Sequence, residues 1–156
     1  MGRVRVEDLF TISKGNAPSF DLYTDIAEAQ APTVAYVSAS TSRNGVNGFV
    51  LPARGDKVFP ADTITIAVQG QGSVAYASVQ PHRYIASAMV LSLSPKAAAF
   101  AAHGLAPDSA TLAALCACLR KHRWRFSFSR NADEGRVGEL ELDLDAVKEV
   151  IARIRL

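Results

Sequence analysis

Between Asp62 and Val79 the chain reads DTITIAVQGQGSVAYASV, two runs of branched and apolar residues joined by a polar, glycine-flanked tip. Thr63, Ile64, Thr65, Ile66 and Val68 on one side, and Val74, Tyr76 and Val79 on the other, suit pleated backbone, where branched and aromatic side chains pack well. The pattern predicts a hairpin turning at Gly70 to Gly72, with Gln69, Gln71 and Ser73 standing out from the tip. Upstream, Arg3 to Ser13 alternates and ends in Leu9, Phe10 and Ile12, an opening strand or short turn that packs inward. A loop from Lys14 to Pro18 follows, then a short helical turn at Asp25 to Gln30 and a strand at Thr33 to Ser38. The stretch SASTSRNGVNGFVLP is a loop at its centre that leads into the apolar pair Phe49 and Val50. Downstream of the hairpin, Pro81, His82 and Arg83 turn the chain into a further strand, Ser87 to Ser94.

Helical spacing begins after that strand. Pro95 to His103 is alanine-rich, and Asp108 or Ser109 caps a second helix to about Arg120 with Leu112, Leu115, Cys116 and Leu119 on one face. Trp124 to Ser129 alternates as a strand does, with Trp124, Phe126 and Phe128 on one side, either a buried stripe or rings free to stack on nucleic acid. Asn131 to Gly138 reads as a polar connection and Leu140, Leu142 and Leu144 as a half-exposed strand. Asp145 then caps DAVKEVIARIRL, whose Val147, Val150, Ile151 and Ile154 form an apolar stripe at helical spacing. At about three turns that helix is marginal by itself and needs the body or a partner to pack on. The expected class is α+β: a curved mixed β-sheet of five or more strands with two or three helices. Residues 1–144 form one domain and 145–156 the C-terminal amphipathic helix.

Length and composition agree with a single core, since 156 residues with 49% apolar are enough to close one. No run of eighteen apolar residues occurs and the N-terminus lacks a signal-peptide core, so a soluble, cytoplasmic protein without membrane contact is expected. Cys116 and Cys118 lie two apart in predicted helix and point to different faces, with no second pair at zinc spacing, so buried reduced thiols are expected. Charge is nearly balanced at 17 basic and 15 acidic residues, yet it is unevenly placed. Arg120 to Arg130 carries five cations and no acid, while Asp133 to Glu149 carries seven of the acids. A cationic strip neutralises phosphates if it lies on a surface, although Arg120, Lys121 and His122 equally complement a helix C-terminus.

Candidate chemistry lies in the loops. A glutamine amide offers an acceptor beside donors, the pattern that reads an adenine edge in a DNA major groove, though a plain hairpin with solvated glutamines shows the same sequence. Arg43, Asn44 and Asn47 are able to donate to phosphates or base edges, and Asn-Gly is also an ordinary tight turn. Catalytic signatures are absent: His82, His103 and His122 sit in no nucleophile or metalloprotease motif, the QGQG glycines lack the lysine-serine ending of a P-loop, and no Rossmann fingerprint appears.

The order of these loops resembles the target recognition domain of the DNA specificity subunits of type I restriction–modification systems, and of related fused restriction–methylation enzymes. The resemblance is carried by Phe10 with Lys14-Gly15, by Pro32 through Ser38, and by Asn44-Gly45-Val46-Asn47-Gly48-Phe49. It continues through Asp62-Thr63-Ile64-Thr65 to Gly70, Gly72 and Tyr76, then Phe126-Ser127-Phe128-Ser129-Arg130 and Val137 to Leu142. Phe128-Ser129 replaces the family's Tyr-Gly pair, and Leu142-Asp143-Leu144 stands where Leu-Pro is expected. The resemblance spans Phe10 to Leu144 and implies a module for sequence-specific recognition of double-stranded DNA in phage defence in a bacterial or archaeal cell. It would direct methyltransferase and nuclease subunits without catalysis of its own, holding no cofactor while the partners supply S-adenosylmethionine, ATP or magnesium chemistry. In that role Lys14, Arg43, Arg83 and Arg130 contact phosphates, and Asn44, Asn47, Gln69, Gln71 and Ser73 inspect base edges. Family subunits usually carry two such domains separated by long helices, whereas this chain has one domain and one short helix. Two other readings stand beside it: a small magnesium-dependent restriction endonuclease, and a protein-interaction module or homodimer assembling through the C-terminal helix.

Overall fold

The first strands pair with the last ones in the chain, so the two ends are woven into one body. The computed structural model describes residues 2–26, 32–70, 72–126 and 131–155. β1 (Arg3–Arg5) runs antiparallel to β9 (Glu141–Asp143), with Val4 opposite Leu142. A one-turn helix, α1 (Val6–Leu9), separates β1 from β2 (Phe10–Lys14), so the opening stretch is two strands broken by a turn of helix. The break turns Val6, Leu9 and Phe10 into the core, where all three are buried.

The four-stranded sheet has the order β2, β8 (Val90–Pro95), β5 (Thr63–Ala67), β6 (Ala77–Gln80), all antiparallel. The predicted hairpin is therefore present as β5 and β6, but its connection runs from Val68 to Tyr76 and is longer than a glycine turn. The cause is local backbone: Ala75 takes a left-handed conformation at φ 59°, and its N–H donates back to the Ala67 carbonyl (2.8 Å), so the chain re-enters the sheet late.

A three-stranded sheet stacks beside it in the order β4 (Val46–Val50), β3 (Val34–Val37), β7 (Tyr84–Ala86). β3 is antiparallel to β4 and parallel to β7, which supplies the mixed pairing expected of the fold. The strands thus fall into several sheets, and β4 and β7 occupy stretches that read as loop and turn. A buried polar chain joins the two larger sheets: the Tyr84 hydroxyl lies 2.7 Å from Thr63 Oγ1 and 2.6 Å from Ser92 Oγ. Burial holds Tyr84 protonated by raising its pKa, against the opposing effect of those two hydroxyls.

Helices cover the far face of the four-stranded sheet. α2 (Ala97–Ala102) buries Phe100, whose ring meets Phe10 edge to face at 5.5 Å. α3 (Ser109–Arg120) is capped by Asp108, which accepts from Thr111 N, and buries Leu112, Leu115, Cys116 and Leu119 as the spacing predicts. Both cysteines are free and buried, and burial pushes the Cys116 thiol up to about 12. α5 (Leu144–Ile154) packs on α3 through Val147 and Ile151. Its cap is Asp143, which accepts from Asp145 N and Ala146 N, so the cap lies two residues before the predicted one.

Two further expectations are corrected. The polar stretch before β9 contains a short helix, α4 (Glu134–Gly138), because the Asp133 carboxylate accepts from Arg136 N and starts a turn. Trp124 and Phe126 are not strand neighbours on one face: Arg123–Phe126 forms a 3-10 turn that exposes Trp124 (66%) and buries Phe126. Ser127, Phe128 and Ser129 lie outside the described residues. No helix among the described residues is long and apolar enough to cross a membrane.

Candidate functional site

Among the described residues, the segment between β3 and β4 holds the longest run of left-handed backbone. Arg43, Asn44 and Gly45 take left-handed conformations in succession, at φ 49°, 57° and 78°. Glycine and asparagine tolerate that region, whereas arginine there costs about 1 kcal/mol or more and persists only when its surroundings hold it. The holding group is Gln80 at the end of β6. Its side chain is 1% exposed, and its Nε2 donates to the Asn44 carbonyl (2.6 Å) and to Thr65 Oγ1 (2.9 Å). A buried amide with both protons placed is a rigid post, and it fixes the loop against the four-stranded sheet.

That post shapes a cleft of about 380 Å³ lined by Arg43, Asn44, Asn47, Phe49, His82 and Asp25 among others. The side chains of Arg43, Asn44 and Asn47 are exposed on its rim. Asn47 is oriented by its neighbour, since Ser38 Oγ donates to Asn47 Oδ1 (2.5 Å), which leaves the amide N–H groups facing out. One wall is a ring pair, Phe49 and His82, in edge-to-face contact at 5.3 Å. The other side is Asp25 and Ile26, just after Tyr23, whose hydroxyl donates to Asp56 Oδ2 (2.7 Å). Burial first, and then that carboxylate, raise the Tyr23 pKa, so the hydroxyl stays a donor.

Three of the nine predicted contact residues are therefore brought together: Arg43, Asn44 and Asn47. Arg83 is exposed and follows His82, but it is not among the residues that line the cleft. Lys14 and Gln69 lie elsewhere, flanking the β7–β8 turn. Gly15 N donates to the Val90 carbonyl, Val68 N donates to the Met89 carbonyl, and Gln69 Nε2 is 2.6 Å from Met89 Sδ. Both side chains are exposed at that end. Ser73 is corrected: it is 6% exposed and its hydroxyl donates to the Ala39 carbonyl (3.3 Å), so it fastens the hairpin loop to the segment after β3 and does not point outward. Gln71 and Arg130 lie outside the described residues.

The cationic strip also has a structural task. Arg120 Nε donates to the Ala77 carbonyl (2.9 Å), and Arg123 donates to the carbonyls of Val74 (3.1 Å) and Gly72 (2.6 Å). Both guanidiniums lie over the Tyr76 ring, at 4.5 and 5.3 Å from its centroid. These arginines brace the hairpin loop. Gln80, Asp25 and the two bracing arginines were not singled out as site groups from the sequence. The one available signal was Gln80 itself, an amide closing an otherwise apolar and small-residue strand before Pro81. Among the described residues no set of three or more His, Cys, Asp and Glu side chains is placed to hold a metal ion.

Comparison with known proteins points one way. The family model of the type I restriction modification DNA specificity domain matches residues 1–111. No curated protein matches the chain. Among solved structures, the type I restriction–modification S subunit from M. genitalium superposes with TM-score 0.66 at 13% identity, covering 99% of this chain and 38% of that one. The HsdS subunit from Thermoanaerobacter tengcongensis gives 0.67 at 13% identity, with 99% and 36% covered. A structure reported for complex assembly and conformational transition of the type I R-M system gives 0.67 at 14%, with 99% and 37% covered. At such identity the likeness is one of fold, and the chain spans little more than a third of the length of those proteins.

Proposed function

Since this chain belongs to the type I restriction modification DNA specificity domain family, we propose that it is a recognition module that reads the sequence of double-stranded DNA within a restriction–modification system. The observation that carries the reading is the cleft where Arg43 and Asn44 stand exposed on a loop tied to the buried Gln80 and Asn47 stands exposed at the start of β4. Amides read base edges only if their orientation is fixed before contact, and loops on a rigid scaffold meet that requirement. Arg43 on the cleft and Arg83 outside it are the phosphate-contacting groups, with Lys14 and Gln69 extending the contact toward the β7–β8 turn and Gln71 and Arg130 retained as contact residues of the flanking segments.

In this reading the chemistry belongs to partners. Methyltransferase and nuclease subunits bring S-adenosylmethionine, ATP and magnesium, and this chain brings the address. The test is selection of bound duplexes from a random pool by the purified chain at two salt concentrations. A shared sequence motif enriched at both, with affinity falling as salt rises, is the expected result. Enrichment of no motif at either salt contradicts it.

A further inference from the structure

Resting on that reading of the cleft, we propose that Asp25 is a specificity-determining residue that accepts a hydrogen bond from the N4 amino group of a cytosine in the recognised duplex. Its place is fixed by backbone. Ile26 N donates to the Phe49 carbonyl (2.7 Å) and pairs with Phe49 in an antiparallel bridge, so the segment lies along the outer edge of β4. The Asp25 carboxylate then rests over Gly48, where any β-carbon would collide with Oδ1.

The chemistry of that carboxylate sets it apart from its surroundings. Arg43 on the rim is a donor only, and Asn44 and Asn47 carry both donors and acceptors, while the Asp25 carboxylate only accepts. Among the described residues its carboxylate has no hydrogen bond or ion pair within the chain. A carboxylate on a surface that meets phosphates works against binding of every duplex, and a donor on the bound base offsets that repulsion. Adenine shows its amino group next to the N7 acceptor, a pair that an asparagine matches and a carboxylate does not. Cytosine shows an amino donor in the major groove with no acceptor beside it, and it is the base whose edge fits an acceptor-only group. Asp25 therefore lowers affinity for DNA in general and raises the discrimination made at one base pair.

The experiment repeats the random-pool selection with the wild-type chain, Asp25→Asn and Asp25→Ala, and adds titration of each against one random duplex. The wild type is expected to require cytosine at one position. Asp25→Ala should flatten that preference by roughly tenfold while binding the random duplex more tightly. Asp25→Asn, which gains donors, should move the preference toward adenine. Unfolding midpoints matching the wild type establish that the variants are folded. A cytosine preference that survives both substitutions, or specific and random binding that weaken in parallel, overturns the role of Asp25 and leaves the recognition reading standing. A folded wild type that selects no motif overturns both.

Discussion

The four-stranded sheet and the helices on it are closed by aliphatic side chains: Ile64, Leu93, Leu112 and Leu115 show no exposure at all. The three-stranded sheet that carries the cleft is closed by rings and directional bonds. Phe20 and Tyr23 pack on Tyr36 at 5.1 and 5.6 Å, Phe59 stacks on Tyr84 at 5.2 Å, and the Tyr36 hydroxyl donates to the Pro18 carbonyl (2.6 Å). Aliphatic packing is non-directional and contributes stability roughly in proportion to area. Ring contacts and hydrogen bonds contribute less each, but they fix angles, and each one here holds a particular loop. Stability is thus concentrated in one half of the molecule and geometry in the other, with Gln80 and Tyr84 as the joints between them.

Substitutions that attack one half and spare the other separate the two. The largest effect belongs to the aliphatic half. Leu115→Ala removes a fully buried side chain between α3 and the sheet and should cost about 2–5 kcal/mol in denaturant unfolding. The folded fraction should still prefer the same DNA sequence. Gln80→Leu comes next, leaving the Asn44 carbonyl and the Thr65 hydroxyl without their donor, at about 1–3 kcal/mol. Unlike the leucine change, it should also erase sequence preference, because the left-handed loop loses its post.

Asp108→Ala is smaller. Loss of the α3 cap should lower stability by about 1 kcal/mol with DNA preference intact. Its pH dependence gives a second check. Hydrogen bonding from Thr111 first, and the Arg155 guanidinium after it, hold the Asp108 pKa below the usual carboxylate value. A carboxylate with a depressed native pKa contributes stability above its unfolded pKa and loses it as pH falls through the native one. The acid limb of the stability curve should therefore be shallower in Asp108→Ala than in the wild type.

The two halves were also unequally legible from residues alone. The β5–β6 hairpin, β8, α2, α3 and α5 announce themselves because aliphatic periodicity is the signal that burial leaves in a sequence. In the cleft half, β4 was hidden by Asn47 and Gly48, which read as a turn, and β7 by its length of three residues. Arg43, Asn44 and Asn47 were recognisable as loop polars, but their convergence depends on a donor thirty-six positions away, Gln80, and a long-range pairing of that kind has no local signature. Ser73 misled for the complementary reason: a serine just after a glycine-rich tip looks solvated, and only the packing of the segment after β3 shows it fastened inside. The 3-10 turn at Arg123 defeated the alternation of Trp124 and Phe126 because residues two apart share a face on a strand and diverge at a period of three.

The most direct test is the ratio of affinities for a selected site and a scrambled duplex, measured for the wild type and for Asn44→Gly. Glycine accepts the left-handed backbone at position 44 and deletes only the amide, so the fold is left alone. The ratio should fall by roughly 1–3 kcal/mol, mostly through weaker binding to the selected site, at an unchanged unfolding midpoint. A ratio equal to that of the wild type would mean that the exposed amides of this cleft do not read DNA.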